Sequence, residues 1–138
     1  MAVLTANYDT ADKRGIVVGY NVQAATKIFA GALVAIDASG FLVNAADAAG
    51  LVFAGVAYES GDNSVGAAGA VGVRVQEAGT VVVPLSGTWG QGVVGKKAFC
   101  VDNNTVAVSG TANSLYVGDV VALVAGGKVR VRVTPAAV

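Results

Sequence analysis

The stretch GQGVVGKK, Gly90 to Lys97, comes closer than any other part of this sequence to a chemical device. Gly90, Gly92 and Gly95 fit the G-x-G-x-x-G dinucleotide fingerprint, and Gly90 to Lys96 fit the opening of a P-loop. Both devices hold phosphate with backbone N–H groups at a helix N-terminus, so a strand must enter the loop and a helix must leave it. Here AFCVDNNTVAVSG follows, which reads as strand, turn and strand. The P-loop also needs Ser or Thr after its lysine to hold Mg²⁺, and Lys97 stands there instead. The glycines are therefore read as a β-connection, and no nucleotide or other cofactor is expected.

The remaining reactive side chains are few. The chain has no histidine, which removes the commonest general base, the Ser-His-Asp and Cys-His arrangements, and the usual nitrogen ligand of zinc. Its nine carboxylates lie mainly singly in turns, where Asp37, Asp62 and Asp102 are what turn chemistry favours. The tetrapeptide DNNT, from Asp102, resembles a fragment of a Ca²⁺ loop, but neither the ligand ladder nor a closing Glu follows. Cys100, the one cysteine, lies between Phe99 and Val101 and reads as a buried small hydrophobe. No catalytic residue, metal site or enzyme activity is expected.

Two surface features carry more information. Lys128, Arg130 and Arg132 alternate with Val129, Val131 and Val133, so in a strand the cations share one face and the valines enter the core. That face is either a solvated exterior or a basic stripe opposite an acidic partner. Trp89, in SGTWGQG, is either a loop anchor on the core or an interface residue.

The elements that position these residues are strands. Short Val-rich runs separated by Gly, Asn, Asp or Ser give ten candidates: GIVVGYNV, ALVAID, FLV, LVFAGVAY, AVGVRVQ, TVVVPL, AFCVD, TVAV, DVVALVA and KVRVRV. Three pairs flank tight turns at Ala38-Ser39-Gly40, Asn103-Asn104 and Gly126-Gly127 and read as hairpins. Asn44 to Gly50 hints at one or two turns of helix, and Gly61 to Gly72 reads as a mobile loop. The expected fold is all-β: a single-domain β-sandwich or barrel, jelly-roll-like, over residues 15–138. Residues 1–14 read as an extended N-terminal arm in which Val3, Leu4 and Tyr8 are the groups able to dock on a neighbour.

Composition bounds the partners. Only 13% of residues are charged while 54% are hydrophobic, so much exterior should be hidden against other chains. No run is long and apolar enough for a membrane span, and the N-terminus lacks the pattern of a signal peptide, so synthesis is expected in the cytoplasm. Nine basic against nine acidic residues lack the excess that nucleic-acid binding needs. A homo-oligomer is expected, a dimer before a trimer because two-fold closure is the commonest.

From roughly Lys27 to Val133 the chain resembles the capsid cement, or decoration, proteins of tailed bacteriophages. The resemblance rests on KIFAGALVAIDASGFLV, GLVFAGVA, VGKKAFCVDNNTVAV and VGDVVALVAGGKVRVRV. It implies a β-rich protein that binds the outer surface of an HK97-like shell, with the major capsid protein as partner and the virion as its location. It also implies that Gly95-Lys96 opens a hairpin. GTWGQGVVG and GAAGAVG depart from the family pattern. The alternative function from a different class is a carbohydrate-binding β-sandwich, which would expose aromatics beside polar clusters; a third is an enzyme built on a clustered carboxylate pair.

Overall fold

Alternation of valine with polar residues or glycine sets the strand faces, and the turn residues between the runs set where each strand stops. The computed structural model describes residues 17–135; the arm expected over residues 1–14, with Val3, Leu4 and Tyr8, lies outside the described residues. All ten expected strands form. They are β1 (Val17–Asn21), β3 (Leu33–Ile36), β4 (Leu42–Asn44), β5 (Val52–Ala57), β7 (Gly72–Gln76), β8 (Thr80–Pro84), β9 (Lys97–Asp102), β10 (Thr105–Ala107), β11 (Tyr116–Val124) and β12 (Lys128–Val133). Two short strands that the sequence did not announce, β2 (Thr26–Ile28) and β6 (Gly61–Asn63), pair with each other. The three expected hairpins are present as β3–β4, β9–β10 and β11–β12.

Two expectations need correction. Asn44 to Gly50 contains no helix, because a helix of one or two turns has too few hydrogen bonds to offset its nucleation cost. Gly61 to Gly72 is not simply a loop: it begins as β6, and Asn63 is buried. The Asn63 amide nitrogen donates to the carbonyls of Val22 (3.1 Å), Gln23 (3.1 Å) and Ala67 (2.9 Å), which fastens the segment across the end of β1.

The strands form two five-stranded antiparallel sheets, in the orders β1-β7-β5-β3-β4 and β10-β9-β11-β12-β8. These are the same topology met twice. The first strand of each half neighbours the last, the last neighbours the fourth, the fourth the second and the second the third. Each sheet also curls until its two edges meet at one parallel bridge, Val22 with Leu42 in the first and Leu85 with Val106 in the second. Beside these bridges Gln23 N donates to Leu42 O (3.0 Å) and Ser86 N to Val106 O (2.8 Å). Registers agree as well: β1 against β7 runs from Val17 opposite Gln76 to Asn21 opposite Gly72, and β8 against β12 from Thr80 opposite Arg132 to Pro84 opposite Lys128. The described chain is thus an internal duplication of one curled β-unit.

Packing of the two units is sequential. Val22, Val34, Leu42, Ala54, Val73 and Val75 point into the first curl, and Ile28 of β2 joins them, so the small β2–β6 sheet serves as a lid. The opposite side of the first sheet contributes Leu33, Ala35, Phe53 and Val56 to a second cluster with Val83, Ala98, Cys100, Val106, Val117, Val129 and Val131 of the second sheet. The first sheet is therefore buried on both faces along β3 and β5, while Val18 of β1 and Arg74 of β7 stay exposed. That arrangement consumes much of the chain's apolar composition internally, at roughly 25 cal/mol per Å² of apolar surface removed from water.

Candidate interaction surface

The glycine motif is a fold element. Gln91–Val93 makes one short 3₁₀ turn and β9 begins at Lys97, so no helix N-terminus faces Gly90 to Gly95. Gly95 (φ 89°) also has a counterpart in the first half, Gly31 (φ 86°). Gly31 N donates to Ala57 O and Ala57 N to Ala32 O; Gly95 N donates to Val120 O and Val120 N to Lys96 O. The same turn thus opens the second strand of each unit, at the start of a hairpin, and geometry shared by both halves explains the glycine without a ligand.

Most of the described aspartates are held by their own turns or by a neighbouring loop. Asp37 accepts from Gln23 Nε2 (2.8 Å), Ser39 N (2.9 Å) and Phe41 N (3.0 Å), and these bonds hold its carboxyl below the usual range, the Gln23 bond most. Asp47 accepts from Ala112 N and Asn113 N, both at 2.8 Å, and is lowered chiefly by the Ala112 bond; it ties the first unit to the second. Asp62 and Asp102 each accept the N–H two residues ahead. Among the described residues no three His, Cys, Asp or Glu side chains come together as a metal site. Cys100 is fully buried, its thiol donates to Asp102 O (3.1 Å), and burial pushes its pKa up to about 12. A protonated, enclosed thiol is a packing residue.

These carboxylates set an expected acid response. Asp37, Asp47, Asp62 and Glu59 are all lowered in the folded chain, so the stability they lend is complete above their unfolded values of about 4 and is lost as pH falls through their folded ones. With no histidine to titrate, the melting temperature should stay level from about pH 5 to 8 and fall below about pH 4. Thermal melts across that range check it; a decline already beginning between pH 6 and 7 would contradict the assignment.

The cation row takes the shape read from its alternation. Lys128, Arg130 and Arg132 are exposed on β12, while Val129, Val131 and Val133 are buried. Trp89 is 42% exposed, and its Nε1–H donates to the Lys128 carbonyl (2.8 Å), so it is anchored to the backbone at one end of the row while keeping an open face.

Three strands bring further residues to this surface that no linear pattern grouped. Lys97 on β9 lies opposite Asp119 on β11, and Asp119 lies opposite Arg132, so all three share one side of the sheet. Phe99 and Tyr116 stand beside them with ring centroids 6.1 Å apart. Lys97 Nζ is 5.7 Å from the Tyr116 ring, and the Tyr116 hydroxyl donates to Asp119 Oδ1 (2.8 Å). Burial and that hydrogen bond raise the Tyr116 pKa. The only sequence signal was the alternation of AFCVD, with Lys97 and Phe99 outward of Ala98 and Cys100. Compared with family models, with curated proteins and with solved structures, the chain finds no match in any of the three.

Proposed function

We propose that this protein is a structural cement: it binds the outer surface of an HK97-like phage capsid, through the major capsid protein, and stiffens the head. It acts there as a homo-oligomer, a dimer in preference to a trimer, after synthesis in the host cytoplasm. The observation that carries this reading is the row of exposed cations on a strand whose alternate valines are locked in the core. A charged row on a rigid strand offers a preorganised contact with little ordering cost. The described aspartates that bind neighbouring backbone N–H groups support it too, since their oxygens serve the fold rather than a reaction.

The carbohydrate-binding alternative has one observation in its favour, the exposure of Phe29 (57%) and Tyr58 (55%). Lys27 and Arg74 lie over those two rings at 5.2 and 5.1 Å, however, and already occupy one face of each.

The test adds purified full-length protein to heads assembled without it. Saturable binding with a copy number fixed by the shell lattice, together with a higher temperature of head rupture, is the expected result. Many weak contacts repeated over a shell give strong retention, so binding should survive dilution. Heads that take up no protein, with the fold intact, would overturn the reading.

A further inference from the structure

We propose that the outer face of the second sheet, formed by Lys97, Phe99, Tyr116 and Asp119 and continued by Arg130 and Arg132, docks on an acidic protein surface with an apolar centre. The proposal rests on the cement reading, under which that surface belongs to the capsid shell.

The duplication supplies the argument. In the first unit Leu33 lies opposite Val56 and Ala35 opposite Phe53; in the second, Lys97 lies opposite Asp119 and Phe99 opposite Tyr116. These are the same four positions of one sheet. In the first unit all four are buried, because the second unit covers that face. In the second unit Lys97 is exposed and the other three are part-exposed, with no further sheet among the described residues to cover them. Among the described residues, duplication thus leaves one copy of a proven packing face uncovered.

Residue choice shows how that uncovered copy differs. Leu33 is replaced by Lys97, Phe53 by Tyr116 and Val56 by Asp119, so each gains a polar group, while Ala35 becomes the larger Phe99. A face meant only for water would not trade alanine for phenylalanine. Aromatic and cationic side chains at one patch are the composition of protein interfaces, where large rings contribute area and charged ends fix register. The aromatic pair is also held in place, by Lys97 over the Tyr116 ring and by the Tyr116–Asp119 hydrogen bond.

Charge selects the partner. The whole chain is neutral, yet among the described residues Lys97, Lys128, Arg130 and Arg132 share this side of the sheet with one acid, Asp119, whose Oδ1 already accepts from Tyr116. Two copies of this face would repel each other, whereas an acidic surface is complementary to it. The homo-oligomer contact must then lie elsewhere on the molecule.

The experiment measures binding of full-length protein to undecorated heads for Lys97→Glu, Arg130→Glu and, away from this face, Lys27→Glu, each first checked by thermal melting. Reversal on the face should weaken binding by about tenfold or more and make the remaining binding less sensitive to salt than the parent's, while Lys27→Glu binds as the parent does. Lys97→Gln, which removes the charge without adding an acid, should lie between and serves if a reversal disturbs folding. Parent-like binding by the face variants overturns this proposal and leaves the cement reading standing. Equal loss in Lys27→Glu overturns it too, since the effect would then follow net charge. Failure of the parent chain itself to bind overturns both.

Discussion

Gly118→Ala is expected to abolish the native state or leave it only marginally stable. A Cβ at Gly118 would stand 1.8 Å from the carbonyl oxygen of Arg132 and 2.8 Å from its carbonyl carbon. Both atoms are backbone, in a strand whose neighbours on both sides are hydrogen-bonded to it, so no side-chain rotation relieves the contact. The strands must separate locally and give up ladder hydrogen bonds. A loss of about 3 kcal/mol or more follows, a large share of the roughly 5–15 kcal/mol that holds a domain together.

The duplication doubles the test. Gly55 is the first unit's counterpart of Gly118, and a Cβ there would stand 2.2 Å from the carbonyl oxygen of Gln76, which is the counterpart of Arg132. Gly55 also has φ 143°, a conformation closed to side chains at ordinary cost, so Gly55→Ala should be at least as damaging. Gly92→Ala meets nothing within 4 Å and should stay within about 0.5 kcal/mol of the parent. Urea unfolding of the three variants gives the comparison. A Gly118→Ala protein with the parent's midpoint would show that the two strands do not approach as closely as described.

The second large effect is expected at Asn63. Its amide nitrogen faces three carbonyl oxygens in a buried site, so only a donor fits there. Asn63→Asp keeps the shape and replaces the donor with an acceptor that carries charge. Burial beside three carbonyls raises that carboxyl's pKa, so the protein must either protonate it or separate β6 from the end of β1. At neutral pH the cost should be about 3–5 kcal/mol. A raised acid pKa gives a penalty that grows as pH climbs above the unfolded value near 4 and shrinks below it, so the gap between variant and parent should narrow on acidification. Asn63→Leu, which loses the hydrogen bonds without adding charge, should cost about 1–3 kcal/mol with no such pH dependence. A variant gap that stays constant between pH 4 and 7 would remove the carbonyl cage from the account.

The cation row was legible because alternation is a local property: in KVRVRV every second residue must face the same way once the segment is a strand. Cys100 was legible for the same reason, flanked as it is by apolar neighbours in an alternating run. Asn63 was not, because its partners, Val22, Gln23 and Ala67, come from other parts of the chain and a polar residue in a Gly- and Ala-rich run reads as solvated. Lys97, Phe99, Tyr116 and Asp119 were not grouped either, since register across β9 and β11 decides which of them share a face.

The duplication shows the same division. Its traces are present in the sequence, as FAGVA against YVGDV and VRVQ against VRVR, but they are short and the halves differ most where they should be compared. The first half has β6 and its following loop where the second has only the Gly126-Gly127 turn. What the sequence determined by itself was the all-β class, the positions of ten strands, three hairpins and the inward or outward sense of each alternating residue, because periodicity and turn chemistry act over a few neighbouring residues. What only the tertiary structure decided was that two sheets repeat one topology, that β3 and β5 of the first are covered by the second, and that the same face of the second is left uncovered by the described residues. Those facts depend on which strands pair and which sheet covers which, and pairing joins residues far apart in the chain through backbone hydrogen bonds that every residue type can make.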